Sequence, residues 1–309
     1  MKRRLIEAGV GLGIGGLLMA WVLRGLDWGA LSAALQRSSS SLLLAGLSMT
    51  AAHLLRAWRW QLMLRSSQIA VDFAPLWWGL MVGYLVNTAL PRVGEVARCT
   101  LIWRWRKVPF PTAIGTVIAE RLTDVIILLL LATVVVGVEG PGWLHVLGWE
   151  SYTLYIVGGS ILMGVIGIIV LRYVLDKHAV PWLRSVLHGF ESLWNTRPRW
   201  LMLVLSVSIW VGYGGAILGV MVLCSDSSWD DLVWPSWVLL TGSGLAMAIP
   251  VPGGIGTFHA IGMVLLLSLG WDESPAKITV FAAHALQTLL VLVLGFVGVL
   301  WGSGQRRAA

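Results

Sequence analysis

The sequence predicts an all-α, polytopic membrane protein with about six full transmembrane helices and two re-entrant helical hairpins in an inverted-topology repeat. Composition gives the first indication, since the 309 residues are 57% hydrophobic and only 12% charged, with a mean hydropathy of +0.82. Several apolar runs exceed the roughly 18 residues that mark a membrane span. Two matched Pro/Gly stretches interrupt these runs, one in each half of the chain. The basic residues cluster beside the apolar runs in a pattern that assigns a cytoplasmic side.

Ten apolar segments follow one another along the chain and predict its helices. They cover residues 5–23, 41–64, 74–90, 94–103, 111–137, 152–174, 200–224, 232–250, 253–270 and 276–302. The first run follows Met1-Lys-Arg-Arg and has no small-residue cleavage site, so we interpret it as a retained span that starts in the cytoplasm. Residues 178–195 are too polar to cross, and their apolar side chains recur at helical spacing, which predicts a helix on the cytoplasmic interface.

Two polar stretches, 89–94 and 248–253, share the signature Ala, aliphatic, Pro, two residues, Gly. Pro and Gly stop a membrane helix and leave backbone polar groups that only protein or a water-filled cavity can satisfy. A matched pair of such breaks, one in each half, is typical of a transporter site near the bilayer midplane. We therefore predict that residues 74–103 and 232–270 each enter the membrane and return to the same side as re-entrant hairpins.

The distribution of basic residues supports two hairpins. If both hairpins return to their side of entry, most Lys and Arg fall in cytoplasmic connections, as the positive-inside rule requires. This cytoplasmic set contains Lys2, Arg3, Arg4, Arg59, Arg65, Arg104, Arg106, Lys107, Arg172, Lys177, Arg184, Arg197, Arg199, Arg306 and Arg307. Each half then runs span, span, hairpin, span, so residues 1–137 form a first membrane repeat and residues 138–309 a second, inverted one. Both termini are expected in the cytoplasm.

Net charge and cysteine content argue against several classes of function. The net charge of +7 orients the chain in an anionic membrane, because its basic residues flank apolar runs, and we expect no nucleic-acid partner. Cys99 and Cys224 provide neither a metal-binding spacing nor a disulfide framework. No Walker, metalloprotease or nucleophile-elbow motif marks a catalytic residue. We therefore predict a protein with no metal and no cofactor.

The first interrupted segment carries four polar side chains, Asn87, Arg92, Glu95 and Arg98. If residues 93–103 are helical, positions 92, 95 and 98 share one face. An Arg–Glu–Arg face keeps a net positive charge, and the guanidinium fork suits paired hydrogen bonds to phosphate oxygens. We therefore predict a phosphate-binding site here. The alternative is that Glu95 bridges the two arginines and merely holds the hairpin together.

The next span contains Glu120, Arg121 and Asp124 within one helical turn. Arg121 and Asp124 can pair at i, i+3, which leaves Glu120 directed elsewhere, toward Arg92 or Arg98. Ionisable residues inside a membrane are costly and mark functional sites by default. These three residues are therefore predicted to belong to the substrate site, as a charge relay or a coupling-ion site. The alternative is a purely structural clamp between helices.

The second interrupted segment is rich in Pro and Gly and is also predicted to contact substrate. Glycine lets a substrate approach closely, and a half-helix beginning near residue 255 would aim free N–H groups at an anion. The imidazole of His259 suits proton coupling, although such a histidine is often a packing residue. His53 and His284 are expected to form interhelical hydrogen bonds. The predicted contact residues of this segment are Pro252, Gly253, Gly254, Gly256 and His259.

Three motifs stand in order along the chain: Asn87…Leu90-Pro-Arg-x-Gly-Glu-x-x-Arg98, Glu120-Arg-x-x-Asp124 and Pro250-x-Pro-Gly-Gly-x-Gly256. Together they resemble the family of the lysylphosphatidylglycerol synthase transmembrane region, a flippase-type domain also found as stand-alone bacterial and archaeal proteins. The resemblance implies a multi-pass protein of the bacterial cytoplasmic (inner) membrane that handles polar or phosphorylated lipids. The family's aminoacyl-transferase activity belongs to a separate soluble domain, so lysyl transfer is not implied here. Where relatives often carry Glu shortly after the glycine run, this chain has His259.

These observations predict a lipid translocase that moves a phosphate-bearing or anionic lipid across the inner membrane. Its substrate partner is a membrane lipid, and homo-oligomers or lipid-synthesis enzymes stay open as protein partners. One alternative is a membrane glycosyltransferase or phosphotransferase acting on a lipid-linked substrate, with Glu95, Glu120 or Asp124 as base or metal ligand. Another is a non-transporting scaffold of a lipid pathway, such as a hopanoid pathway. Because the carboxylates lie beside arginines, we expect a transporter rather than an enzyme.

Overall fold

The structure, a computed structural model, describes residues 39–147, 195–225, 227–249 and 251–305, together with residues 29, 32, 33, 191 and 192. Within this part of the chain all regular secondary structure is helical, and no strand occurs. The predicted spans 5–23 and 152–174 lie outside the described residues, as does nearly all of the predicted interfacial helix 178–195.

Eight α-helices follow one another through the described residues. They are α1 (Ser39–Ser66), α2 (Phe73–Ala89), α3 (Val93–Arg106), α4 (Phe110–Leu147), α5 (Arg199–Cys224), α6 (Trp229–Ala246), α7 (Thr257–Ser268) and α8 (Glu273–Gln305). A single 3-10 turn, Pro252–Gly254, lies between α6 and α7. The helix ends lie within about four residues of the predicted apolar segments, apart from the end of α4, because Pro, Gly and polar residues punctuate the apolar runs.

Three of these helices are long and apolar enough to cross a membrane: residues Phe110–Gly140 of α4, all of α5 and all of α8. Large apolar side chains on them, such as Leu130, Leu203 and Phe296, are more than half exposed. Exposure to water would make such a surface costly, whereas lipid tails cover it without that cost. The protein is therefore an all-α, multi-pass membrane protein.

Helices α1 and α5 pack closely because small residues line both sides of their interface. Gly212 lies against Ala52 and Gly219 lies against Ala45, so the two helices run in opposite directions. A Cβ added at either glycine would come within 2.9 Å of the facing alanine Cβ. Such close approach is typical of small-residue packing between membrane helices.

Helices α2 and α3 form an antiparallel pair joined by residues 90–92. Gly79 faces Ile102, and Gly83 faces Gly94, which fixes the antiparallel direction. A Cβ added at Gly94 would overlap the Gly83 carbonyl oxygen, so the contact requires glycine on the α3 side. The two helices therefore approach each other as closely as their backbones allow.

Helices α6 and α7 form a second antiparallel pair. Gly242 of α6 faces Leu265, and Gly262 of α7 faces Leu239. Each of the two pairs also packs against a long helix from the other half of the chain, α2 against α8 and α6 against α4. This crossed packing brings the connections of the two pairs next to each other.

Candidate functional site

A cluster of ionisable side chains lies where α1, α3 and α4 meet. We call it the ionic cluster. Helix α1 supplies two arginines, α3 supplies one arginine, and α4 supplies two carboxylates and one arginine, and five of these six side chains are buried. Its members are Arg56, Arg59, Arg98, Glu120, Arg121 and Asp124.

Glu120 is the centre of the ionic cluster and is fully buried. Its Oε1 accepts from Arg56 Nη1 at 3.0 Å and from Arg121 Nη2 at 3.0 Å. Arg98 approaches as a fork, with Nη2 at 3.1 Å from Oε1 and Nη1 at 3.2 Å from Oε2. The sequence-based expectation that Glu120 is directed toward Arg92 or Arg98 is thus met by Arg98.

Asp124 lies one helical turn further along α4 and binds the two arginines of α1. Its Oδ2 accepts from Arg56 Nη1 at 2.7 Å, and its Oδ1 accepts from Arg59 Nη2 at 2.8 Å. Arg59 also donates from Nη1 to Ser206 Oγ on α5 at 3.0 Å. The predicted pair of Arg121 with Asp124 forms at a longer N–O distance of 3.9 Å. Asp124 therefore links α4 to α1 and, through Arg59, to α5.

Aromatic rings complete the surroundings of the buried guanidinium groups. The guanidinium carbon of Arg98 lies 4.7 Å from the ring centroid of Trp60, and that of Arg56 lies 5.8 Å from the ring of Tyr213. Cation–π attraction is strongest where water is excluded. Because buried charges are tolerated only when they are paired and hydrogen-bonded, this dense network explains how the cluster persists inside the protein.

One edge of the ionic cluster is accessible, and it holds Arg121, Glu95 and Asn87. The Arg121 side chain is 39% exposed and the Glu95 side chain 22%, with Arg121 Nε 4.0 Å from Glu95 Oε1. Asn87 Nδ2 donates to Glu95 Oε2 at 3.3 Å, and Asn87 Oδ1 accepts from the Gly94 N–H at 2.7 Å. The Nε–H groups of Arg56, Arg59 and Arg121 are buried without a hydrogen-bond partner among the described residues, so it is the exposed part of the Arg121 side chain that distinguishes it. Arg121 is thus the arginine of the cluster best placed to meet a ligand.

Arg92 departs from its predicted position. It precedes α3 in the left-handed backbone conformation, with φ at 65°, so it does not continue the helical face of Glu95 and Arg98. Its Nη2 donates instead to the carbonyl oxygen of Ala248 at 2.7 Å. The predicted Arg–Glu–Arg face is therefore wrong for Arg92, because the Pro-containing connection turns the chain before the helix begins. The alternative in which Glu95 bridges the two arginines is also wrong, since Glu95 pairs with Arg121 and Asn87.

Arg56 and Arg59 are functional candidates that the sequence analysis missed. We placed Arg59 in a cytoplasmic connection, but it is fully buried inside α1 and paired with Asp124. Arg56 lies one turn earlier and was not assigned any role. The available signal was their i, i+3 spacing inside an apolar run, which places two positive charges on one helix face opposite the two carboxylates of α4.

Four predicted residues of the second half lie in the connection between α6 and α7, and the fifth, His259, lies in the first turn of α7. Gly253, Gly254 and Gly256 have φ values of 60°, 69° and 88°, a region that glycine adopts without strain. Pro252 is buried at the start of the 3-10 turn, and α7 begins at Thr257, two residues later than expected. Pro250 lies outside the described residues.

His259 does not join the ionic cluster. Its Nδ1 accepts from the Gly256 N–H at 3.4 Å, and its ring centroid lies 4.6 Å from that of His284. His284 Nε2 lies 2.9 Å from the Gly253 carbonyl oxygen and donates to it. His53 Nδ1 lies 3.3 Å from the Tyr213 hydroxyl of α5, which confirms that His53 forms an interhelical hydrogen bond, although the sequence did not identify its partner.

The connections of the two helix pairs touch each other. Arg92 reaches the Ala248 carbonyl, and a Cβ added at Gly253 would lie 3.6 Å from the Thr88 carbonyl oxygen. The Ala89–Gly94 and Ala248–Gly253 stretches, which share one sequence signature, are therefore neighbours in space. The polar edge of the ionic cluster and the glycine-rich connection thus belong to one region of the molecule.

Comparison with known proteins identifies the family of this chain. The family model of the lysylphosphatidylglycerol synthase TM region matches residues 9–295. No significant match was found among curated proteins or solved structures. The matched residues include the Asn87–Arg98 stretch, the Glu120–Asp124 turn and the glycine-rich connection. This chain therefore belongs to the family of the lysylphosphatidylglycerol synthase TM region.

Proposed function

We propose that this protein is a lipid translocase that moves a phosphate-bearing or anionic lipid across the bacterial inner membrane. The observation that carries the proposal is the ionic cluster, which is buried between membrane helices and offers a partly exposed arginine at its edge. Buried charge in a membrane protein is costly, and it is retained mainly where a polar substrate or ion must be handled.

Arg121 is the proposed contact for the lipid phosphate. One of its N–H groups binds Glu120, and its side chain is 39% exposed at the edge of the cluster, whereas the other three arginines are buried. Guanidinium is suited to this role because its planar fork can donate two hydrogen bonds to phosphate oxygens and it keeps its charge at any physiological pH. Arg98 and Arg56 would support the site indirectly, by holding Glu120 in place against Arg121.

The helix contacts support two membrane repeats related by inversion. Helix α1 packs on α5. The contact of α2 with α8 corresponds to that of α6 with α4, and the contact of α3 with α4 corresponds to that of α7 with α8. Exchanging α1–α4 with α5–α8 therefore reproduces the same set of contacts, as two copies of one unit would. On this proposal, α2–α3 and α6–α7 are re-entrant hairpins that enter from opposite faces, with both termini in the cytoplasm.

The contact between the two hairpin connections suggests how a headgroup would pass. Arg92 bonds Ala248, and the Gly253 backbone lies near Thr88, so these tips form a barrier between the two sides. Rocking of one hairpin against the other would open the barrier to each face in turn. The acyl or prenyl tails would stay in the bilayer while the headgroup moves along the polar edge.

The contacts of the two buried carboxylates argue against Glu120 or Asp124 as a catalytic base or metal ligand, so an enzyme would have to use the partly exposed Glu95. Glu120 accepts hydrogen bonds from three arginines, and Asp124 accepts from two. A general base needs a free lone pair directed at the proton it removes, and a metal ligand needs one directed at the ion. The oxygens of these two residues are directed at guanidinium groups instead, which suits a fixed electrostatic site.

Translocation in liposomes tests the proposal. Wild-type protein would be reconstituted with a panel of fluorescent phospholipids and prenyl phosphates, and compared with Arg121→Gln and with Arg104→Gln. Arg104 is the matched control, since it is an exposed arginine near the end of α3. We expect Arg121→Gln to slow movement roughly tenfold or more, because a charge-assisted hydrogen bond is lost, and Arg104→Gln to behave as wild type.

Two results would contradict the proposal. If folded wild-type protein moves no lipid, with and without an imposed proton gradient, the protein is not a translocase. If lipid moves equally fast in wild type and Arg121→Gln, translocation stands but the ionic cluster is not the headgroup site.

A further inference from the structure

The charges of the ionic cluster and its accessible edge do not cancel. Four arginines carry four positive charges, and three carboxylates carry three negative charges, which leaves one positive charge in excess. The seven groups are Arg56, Arg59, Arg98 and Arg121 with Glu95, Glu120 and Asp124. In a poorly solvated environment an uncompensated charge is unfavourable, so the cluster favours a ligand that supplies one negative charge.

Arg121 is the arginine through which a ligand would reach the cluster. The buried carboxylates Glu120 and Asp124 are both held by arginines of α1 or α3 at 3.2 Å or less. Arg121 contributes one hydrogen bond to Glu120, and its nitrogens lie 3.9 Å from Asp124 Oδ2 and 4.0 Å from Glu95 Oε1, both too far for a hydrogen bond. Its side chain is also the most accessible of the four arginines. A ligand would therefore meet the cluster, whose described charged groups sum to one excess positive charge, at this side chain.

Glu95 limits how much negative charge the site can accept. Its carboxylate lies beside Arg121 at the accessible edge, and its other neighbour, Asn87, is neutral. A phosphate bound to Arg121 would lie close to the Glu95 carboxylate. A second negative charge on that phosphate would exceed the one positive charge that the cluster has in excess. It would also lie close to the Glu95 carboxylate and be repelled by it.

Given the proposed translocase function, we infer that the site selects lipids with a phosphodiester headgroup over lipids with a phosphomonoester, and that Glu95 sets this selectivity. A phosphodiester carries one negative charge, which neutralises the cluster. A phosphomonoester carries between one and a half and two negative charges near pH 7, because its second ionisation has a pKa near 6. Glu95 is thus a specificity-determining residue, while Arg121 provides the attraction common to both headgroups.

The inference is tested by comparing two lipids with identical acyl chains in liposomes. Phosphatidylglycerol is the phosphodiester probe and phosphatidic acid is the phosphomonoester probe. Wild-type protein should move phosphatidylglycerol about tenfold faster than phosphatidic acid. Glu95→Gln keeps the side-chain shape and an oxygen that can accept from Asn87, but raises the charge of the cluster by one, and should reduce that ratio to about threefold or less.

Glu273→Gln is the matched control, because it removes a carboxylate whose side chain is 68% exposed and whose partner is Lys277 on the same helix. It should leave the ratio of the two rates unchanged. Equal rates for the two lipids in wild type, or a ratio unaltered by Glu95→Gln, would overturn the inference while leaving the translocase intact. Even if Glu95→Gln fails to fold, the wild-type ratio decides whether the site selects phosphodiester lipids. Absence of movement for both lipids would instead refute the proposed function.

Discussion

The two helix pairs share one packing arrangement but differ sharply in chemistry. The first pair, α2–α3, carries the buried Arg98 and contacts the buried Glu120 of α4. The second pair, α6–α7, is joined by three glycines with positive φ and carries His259, which contacts His284 of α8. The difference suggests a division of roles in which the first pair holds the headgroup and the second pair forms the adaptable part of the path.

Physical chemistry gives a reason for this division. A buried ion network tolerates little movement, because each displaced partner leaves a charge without compensation. A glycine-rich connection changes conformation at lower cost, because glycine has access to both halves of φ space. On our proposal, binding therefore belongs to the rigid half and gating to the half whose backbone can move.

Glu120→Gln should have the largest effect and would show how much stability depends on the charged half. The substitution leaves Arg56, Arg98 and Arg121 without a shared counter-charge, and breaking a buried ion pair typically costs about 3–5 kcal/mol. We expect the free energy of unfolding to fall by about that amount, as measured by thermal denaturation of the detergent-solubilised protein. Glu273→Gln, on an exposed pair, should change it by less than about 1 kcal/mol. Equal losses of unfolding free energy in the two variants would mean that the ion pairs of the cluster stabilise the protein no more than an exposed pair does.

Gly94→Ala should have the next largest effect, through packing rather than charge. The added Cβ would overlap the Gly83 carbonyl oxygen and lie 2.7 Å from the Asn87 side chain, so α2 and α3 must separate. Overpacking of this kind costs about 1–3 kcal/mol. Gly46→Ala in α1 is the matched control, because its Cβ would meet nothing within 4 Å, and it should be neutral or slightly stabilising. Equal stability of the two alanine variants in thermal denaturation would contradict the close contact between Gly94 and Gly83.

Arg92→Gly should have the smallest effect on stability. It removes the hydrogen bond to the Ala248 carbonyl, but glycine adopts the observed φ of 65° without the strain an arginine incurs there. We expect the free energy of unfolding to change by less than about 1 kcal/mol, whereas the translocation rate should change because the hydrogen bond between the two connections is lost. A large loss of stability with an unaltered rate would show that Arg92 serves the fold and not the barrier.

Helix positions were predictable from this sequence because apolar runs and Pro/Gly breaks define them directly. The predicted segments 41–64 and 200–224 correspond closely to α1 and α5, and the match of residues 9–295 confirms the family recognised from three short motifs. Within the site, the link between Glu120 and the first helix pair was also predictable, because a buried carboxylate in a membrane requires a cation and Arg98 was available.

Contacts between distant segments were not predictable from the sequence. Arg56 and Arg59 approach α4 only through the packing of α1 against it, and hydropathy cannot reveal that partner. For the same reason charge counting placed Arg59 in a connection, since an arginine inside an apolar run is ordinarily expected near its end. The separation of Arg92 from Glu95 depends on a backbone turn after Pro91 that helical periodicity does not describe.

Equilibrium binding of phosphatidylglycerol, measured by native mass spectrometry on Arg121→Gln and His284→Phe, tests the division of roles most directly. Arg121→Gln should weaken binding by about 10- to 100-fold, because it removes a charge-assisted contact worth about 1.5–3 kcal/mol. His284→Phe removes the donor to the Gly253 carbonyl, and should slow translocation while leaving binding within about twofold of wild type. Loss of binding in His284→Phe, or wild-type binding in Arg121→Gln, would contradict the assignment of headgroup binding to the charged half.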